Sequence, residues 1–129
     1  MALDLGEVRT GVAASDPDSI LASPLEVVPS EDLVAYLGRL VEELGVRVVV
    51  VGVPKTLGGE VGFQARRILA TLASLRRAFP DLRFVEWDER LTTRVAAGRR
   101  AGKKKRPQRL DHLAAATMLQ EYLEAGRNA

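Results

Sequence analysis

The chain has no cysteine, a single histidine and no apolar run approaching the ~20 residues of a membrane span. The missing cysteines exclude disulfides, thiolate zinc sites and thiol nucleophiles together, and they suit a reducing compartment, so the expected address is the cytoplasm. The longest apolar run, Val48 to Val53, rules against a membrane partner, and Asp4 and Glu7 stand where a basic signal peptide would carry lysine or arginine. No internal repeat is present. The glycine-rich stretch from Gly52 to Gly62 lacks the Gly-Lys-Ser/Thr ending of a nucleotide P-loop, which leaves a flexible loop as its role. With 129 residues and 47% hydrophobic content, the chain can bury one core and is too short for two full domains, so residues 1–129 are expected to form a single domain.

Charge is unevenly spread. Arg99, Arg100, Lys103, Lys104, Lys105, Arg106 and Arg109 fall within eleven residues that hold no acid, leaving 12 basic against 17 acidic residues elsewhere. An acidic body with a basic strap is an electrostatic footprint for a polyanion. A solvated loop without a ligand is the alternative. Residues 98–108 have no apolar periodicity, so this segment is expected to be mobile without nucleic acid.

Leu3 to Ala14 reads as two short strands about a Gly6-Glu7 turn, and Ile20 to Val28 as a third strand between Pro17 and Pro29. Ser30 is placed to cap a helix whose Leu33, Leu37, Leu40 and Leu44 form one stripe ending at Gly45. Val46 to Val53 is β-branched without alternation, as in a central strand covered on both faces. A second helix carries Ala65, Ile68, Leu72, Leu75 and Phe79, and Pro80 stops it; Leu82 to Trp87 is the last strand and Leu110 to Leu123 the last helix. The order predicts an α/β protein with a mixed five-stranded sheet flanked by helices.

Asp4, the Asp88-Glu89 pair and Asp111 all fall at element ends, which such a sheet can bring to one rim. Carboxylates gathered without a cationic partner repel one another, and hard divalent cations with oxygen ligands relieve that repulsion. Two-ion phosphoryl transfer uses such a cluster. Each acid also has a plain reading: Asp4 as turn chemistry, Asp88 and Glu89 as solvated strand-end acids, Asp111 as a charge matched to the helix dipole. His112, a lone histidine beside Asp111, is not assigned to the cluster.

Four segments in order carry a resemblance: Leu3-Asp4-Leu5-Gly6 running into Gly11 to Asp16; Val49 to Pro54 with the following glycines and Gln64-Ala65; Trp87 to Thr93; and Asp111 to Ala116 with Leu119-Gln120. Over nearly the whole chain they resemble the YqgF/RuvX family of Holliday-junction resolvases and pre-16S ribosomal RNA nucleases. The resemblance implies a ribonuclease H-like fold. It also implies that Asp4, Glu89 and Asp111 are catalytic acids binding magnesium or manganese, two ions in all, with Asp88 a nearby fourth ligand. The chain departs from the family pattern at Val8-Arg9, where Lys-Arg is usual, and at Thr10, where an aliphatic residue is usual.

The expected activity is therefore metal-dependent hydrolysis of phosphodiester bonds in structured nucleic acid, with precursor 16S RNA favoured over a four-way DNA junction. Arg9, Lys55, Arg90 and the strap are the expected nucleic-acid contacts, Arg66 is a further cation, and a homodimer is a candidate assembly. Two other classes compete. Asp4-Leu5-Gly6 with Thr10 also resembles the first phosphate motif of actin-like and sugar-kinase-like ATPases, but the chain holds no second Asp-x-Gly. A non-catalytic RNA-binding module would use the strap and need no carboxylates.

Overall fold

The computed structural model describes the backbone of residues 1–54, 59–88 and 109–128, and the side chains of residues 1–54, 62–88 and 112–126. Strands β1 (Ala2–Leu5) and β2 (Arg9–Ser15) pair antiparallel across the expected turn, with Asp4 opposite Gly11 and Leu5 opposite Thr10. Strand β3 (Ala22–Pro29) pairs antiparallel with β2 and forms an edge of the sheet, where Pro24 and Pro29 are tolerated. It starts later than the alternation of its residues suggests. The Asp16 carboxylate accepts the amides of Ile20 (2.7 Å) and Leu21 (3.1 Å), which holds both in the hairpin turn.

The first helix also differs at its start. Ser30–Asp32 form a 3-10 turn, α1 runs over Leu33–Leu44, and neither segment has a side-chain cap. The Ser30 hydroxyl is committed elsewhere, donating to the Gly6 carbonyl at 2.7 Å. Leu33, Leu37 and Leu40 are buried as their spacing predicts, joined by Tyr36, whereas Leu44 is exposed because the helix ends there in the left-handed Gly45 (φ 67°). Burial and the hydrogen-bonded Glu26 carboxylate push the Tyr36 phenol up to about 12. The folded state thus favours the neutral phenol, and its contribution is complete below pH 10 and lost as pH rises through 12. The unfolding midpoint should fall across that interval, and Tyr36→Phe should flatten the fall; an unchanged slope in the variant would assign it to other groups.

Strand β4 (Val48–Val53) is interior, parallel to β1 on one side and to β5 (Arg83–Asp88) on the other. The sheet order is β3-β2-β1-β4-β5. Helix α2 (Gly59–Ala78) already includes Gly59 and Gly62, which the glycine spacing assigned to a loop, while Gly58 lies outside the described residues. Its Ala65, Ile68, Leu72 and Leu75 are buried as expected.

Both faces of the sheet are covered. Leu3, Leu5, Val12, Val49, Val51 and Val53 pack with residues of α1 and α2. Ala2, Ala13 and Val50 pack on the other face against Ala115, Met118 and Leu119 of the last helix, α3 (Arg109–Asn128). This explains the unbroken valine run, since alternate valines of β4 serve two cores. Among the described residues, no helix is long and apolar enough to cross a membrane.

Candidate active site

Asp4 shares its strand parity with Ala2, so its side chain belongs to the α3 face, where it is half-buried. Its direct partner on β2 is Gly11. On the other side, the parallel register pairs Ala2 with Val50 and Leu3 with Val51, and one step further brings Asp4 level with Gly52. Asp4 is thus flanked on both neighbouring strands by residues without side chains. Neither glycine was singled out for this role from the sequence, because the register that puts them beside Asp4 is a tertiary property.

The direction of α3 follows from two points: the Gln120 side-chain oxygen accepts the Ala22 amide (2.7 Å) and its nitrogen donates to the Ile20 carbonyl (3.0 Å), while Ala125 and Gly126, further along the helix, line a depression with Asp16, Gly45 and Val46. Ala22 pairs with Ser15, at the end of β2 remote from Asp4. Residue 111 lies nine residues earlier on the helix, a rise of about 14 Å. Gly11 lies four residues before Ser15 on the strand, also about 14 Å. The first turn of α3, which carries Asp111, therefore comes level with the Asp4–Gly11 pair. The Asp111 side chain lies outside the described residues.

Asp88 ends β5 opposite Val53. Its parity is that of Phe84, which packs on the α1–α2 face, so alternation places Asp88 across the sheet from Asp4. Glu89 follows it and lies outside the described residues, as do Lys55, Arg90, Arg99, Arg100, Lys103, Lys104, Lys105, Arg106 and the side chain of Arg109. The expected mobility of the strap likewise falls there. Among the described residues no group of three His, Asp or Glu side chains gathers for a metal. Arg9 opens β2 with the parity of Gly11, exposed at the same rim as Asp4.

Two buried side-chain nitrogens on described residues have no hydrogen-bond partner: Trp87 Nε1 and His112 Nδ1. Trp87 lies on the α3 face, its ring edge-on to Tyr122 at 5.6 Å. His112 follows Asp111 in the first turn of α3. In the sequence His112 stands outside the acidic cluster, and its isolated position gives no signal of this unpaired nitrogen. A depression of about 950 Å³, lined by Val48, Val50, Trp87, Tyr122 and Leu123, also opens on this face, and Asp4 does not line it.

The turn joining β1 to β2 is sterically constrained. A Cβ on Gly6 would run into the Arg9 carbonyl oxygen. Gly6→Ala is therefore expected to cost about 1–3 kcal/mol as the turn shifts, seen as a lower urea midpoint at unchanged slope. An unchanged midpoint would mean that the turn adapts freely.

A mixed sheet of this order, with an acid on its central strand and a helix bearing a second acid at the same end, defines a protein of the ribonuclease H-like fold. The structure is similar to RuvC of T. thermophilus, solved in complex with a Holliday junction substrate, with a TM-score of 0.60 at 15% identity over 97% of this chain and 92% of that one. Residues 1–125 match the RuvX family, described as Holliday junction resolvase, and the chain belongs to that family. It is 62% identical to a Rubrobacter xylanophilus protein over 99% of this chain and 94% of the relative. A Nocardia farcinica protein is 42% identical over 96% of this chain and 76% of its own length, and a Chloroflexus aggregans protein 41% over 99% and 94%. All three relatives bear the name "Putative pre-16S rRNA nuclease".

Proposed function

We propose that residues 1–129 act as one nuclease domain that hydrolyses phosphodiester bonds in structured nucleic acid, using divalent cations held by Asp4, Glu89 and Asp111. The carrying observation is the position of Asp4, flanked by glycines on both neighbouring strands and level with the first turn of α3, which carries Asp111. Carboxylate oxygens are the donors that magnesium and manganese select. The unpartnered nitrogens of Trp87 and His112 leave polar capacity on the same side of the sheet as Asp4. Asp88 is a weaker ligand candidate, because alternation directs it to the opposite face.

A divalent cation bound there supplies the Lewis-acid charge that a phosphodiester needs as it takes up negative charge in the reaction. The chain's own residues do the rest. Gly11 and Gly52 place no side chain beside Asp4, so that a sugar–phosphate backbone can approach its strand. Arg9, exposed at the same rim, is placed to neutralise a neighbouring phosphate. Lys55, Arg90 and the cations from Arg99 to Arg109 extend that contact along the substrate. Such phosphate contacts fix register and orientation without reading bases.

The names borne by the relatives favour precursor 16S RNA as substrate, and the family description makes a four-way DNA junction the second reading. Both substrates are consistent with action in the cytoplasm. The test is to incubate the protein and manganese with a 5′-extended 16S RNA fragment and, separately, with a synthetic four-way junction. Cleavage of the RNA to 5′-phosphate and 3′-hydroxyl ends is the expected result. Symmetric nicking of the junction alone would select the second reading, and tight binding of both without cleavage would reduce the protein to an RNA-binding assembly factor.

A further inference from the structure

Thr10 is a polar residue that is fully buried. It stands at the last β1–β2 pair, opposite Leu5, and its hydroxyl lies 2.9 Å from that of Ser30, twenty residues on. The direction of this hydrogen bond follows from proton counting. The Ser30 hydroxyl has one proton and gives it to the Gly6 carbonyl, which can only accept. Thr10 must therefore donate to Ser30. The result is a one-way relay, from the Thr10 hydroxyl to the Ser30 hydroxyl to the Gly6 carbonyl. The Ser30 amide adds a bond to the Val8 carbonyl at 2.8 Å, so one residue binds two carbonyls of the same turn.

Among the described residues the turn has little else to hold it. Val8 is 68% exposed and makes no core contact. The Glu7–Arg67 ion pair (3.1 Å) involves an exposed carboxylate and adds little rigidity in water. Yet this turn begins two residues after Asp4 and ends at Arg9, so it joins the ends of the two strands that present them. We propose that Ser30, loaded by Thr10, is a positioning latch that holds the Gly6–Val8 turn and so fixes Asp4 for the cation. The proposal rests on the reading of Asp4 as a cation ligand. The latch acts from the α1 side of the sheet and touches neither the ion nor the substrate.

Ser30→Ala removes the donor to Gly6 and leaves the buried Thr10 hydroxyl without its acceptor, whereas Thr10→Val keeps the Ser30–Gly6 bond. Manganese binding by calorimetry, with no substrate present, should weaken by about tenfold in Ser30→Ala, by less in Thr10→Val, and return toward wild type in Ser30→Thr. Amide exchange at Glu7 and Val8 should accelerate in Ser30→Ala while that of Val49 to Val51 in the core stays slow. Asp4→Asn is the reference. If it abolishes manganese binding while Ser30→Ala and Thr10→Val both bind like wild type, the site stands and the latch is wrong. If Ser30→Ala fails to fold, Thr10→Val alone decides, since wild-type affinity and exchange in that variant overturn the latch. If Asp4→Asn binds manganese as well as wild type, the cation reading fails first and the latch's role falls with it.

Discussion

Replacing Asp4 by asparagine is expected to lower phosphodiester cleavage by roughly 1,000-fold or more, about 4 kcal/mol of transition-state stabilisation, while leaving folding and nucleic-acid binding nearly intact. The substitution preserves shape and removes one negative charge. Asp4 is only half-buried and its strand neighbours are glycines, so the isosteric amide fits the same space. Glu89→Gln and Asp111→Asn should cause losses of the same order. Any two of the three together should cost little more than one, because ligands of a shared ion pair act as a unit. Single-turnover rates at saturating RNA and manganese, read beside a binding isotherm for each variant, provide the check. Mild, additive losses would mean that the three acids are ordinary surface carboxylates, and full activity in Asp4→Asn would remove the mechanism.

Changing Lys103, Lys104 and Lys105 together to alanine should weaken RNA or DNA binding about 100-fold near 0.15 M salt, with little dependence on sequence. Each phosphate contact releases condensed counterions, so each lost contact flattens the plot of log affinity against log salt by roughly 0.7 to 0.9. The rate at saturating substrate should change little, because these residues follow Glu89 and precede Asp111 in the chain and lie between the proposed ligands without being ligands themselves. A titration across salt decides the matter. A wild-type slope in the triple variant would leave the strap as a solvated loop and shift phosphate binding to Arg9, Arg66 and the remaining basic residues. The two experiments separate chemistry from grip: the aspartate variant should bind without cutting, and the lysine variant should cut once bound.

Period and composition determined much of this protein without any coordinates. The β-branched run before Pro54 reads as a strand covered on both faces, and the stripes through Leu37 and Leu72 read as helices, because burial of apolar surface follows the repeat of the local backbone. The acids at element ends, and the order of the segments around them, likewise pointed to phosphoryl transfer. Which residues stand beside one another was decided by tertiary structure alone. Ser30 reads as a helix cap, since serine before a leucine stripe favours that geometry, but the return of β3 alongside β2 carries it to the Gly6 carbonyl instead. Asp88 reads as a nearby fourth ligand, although strand pleating directs it to the face opposite Asp4. The glycines beside Asp4 are 7 and 48 positions away in sequence, and only strand register makes them its neighbours. Local propensity depends on residues a few positions apart, whereas a catalytic surface depends on strands paired over long distances, and that pairing is set by the whole core at once.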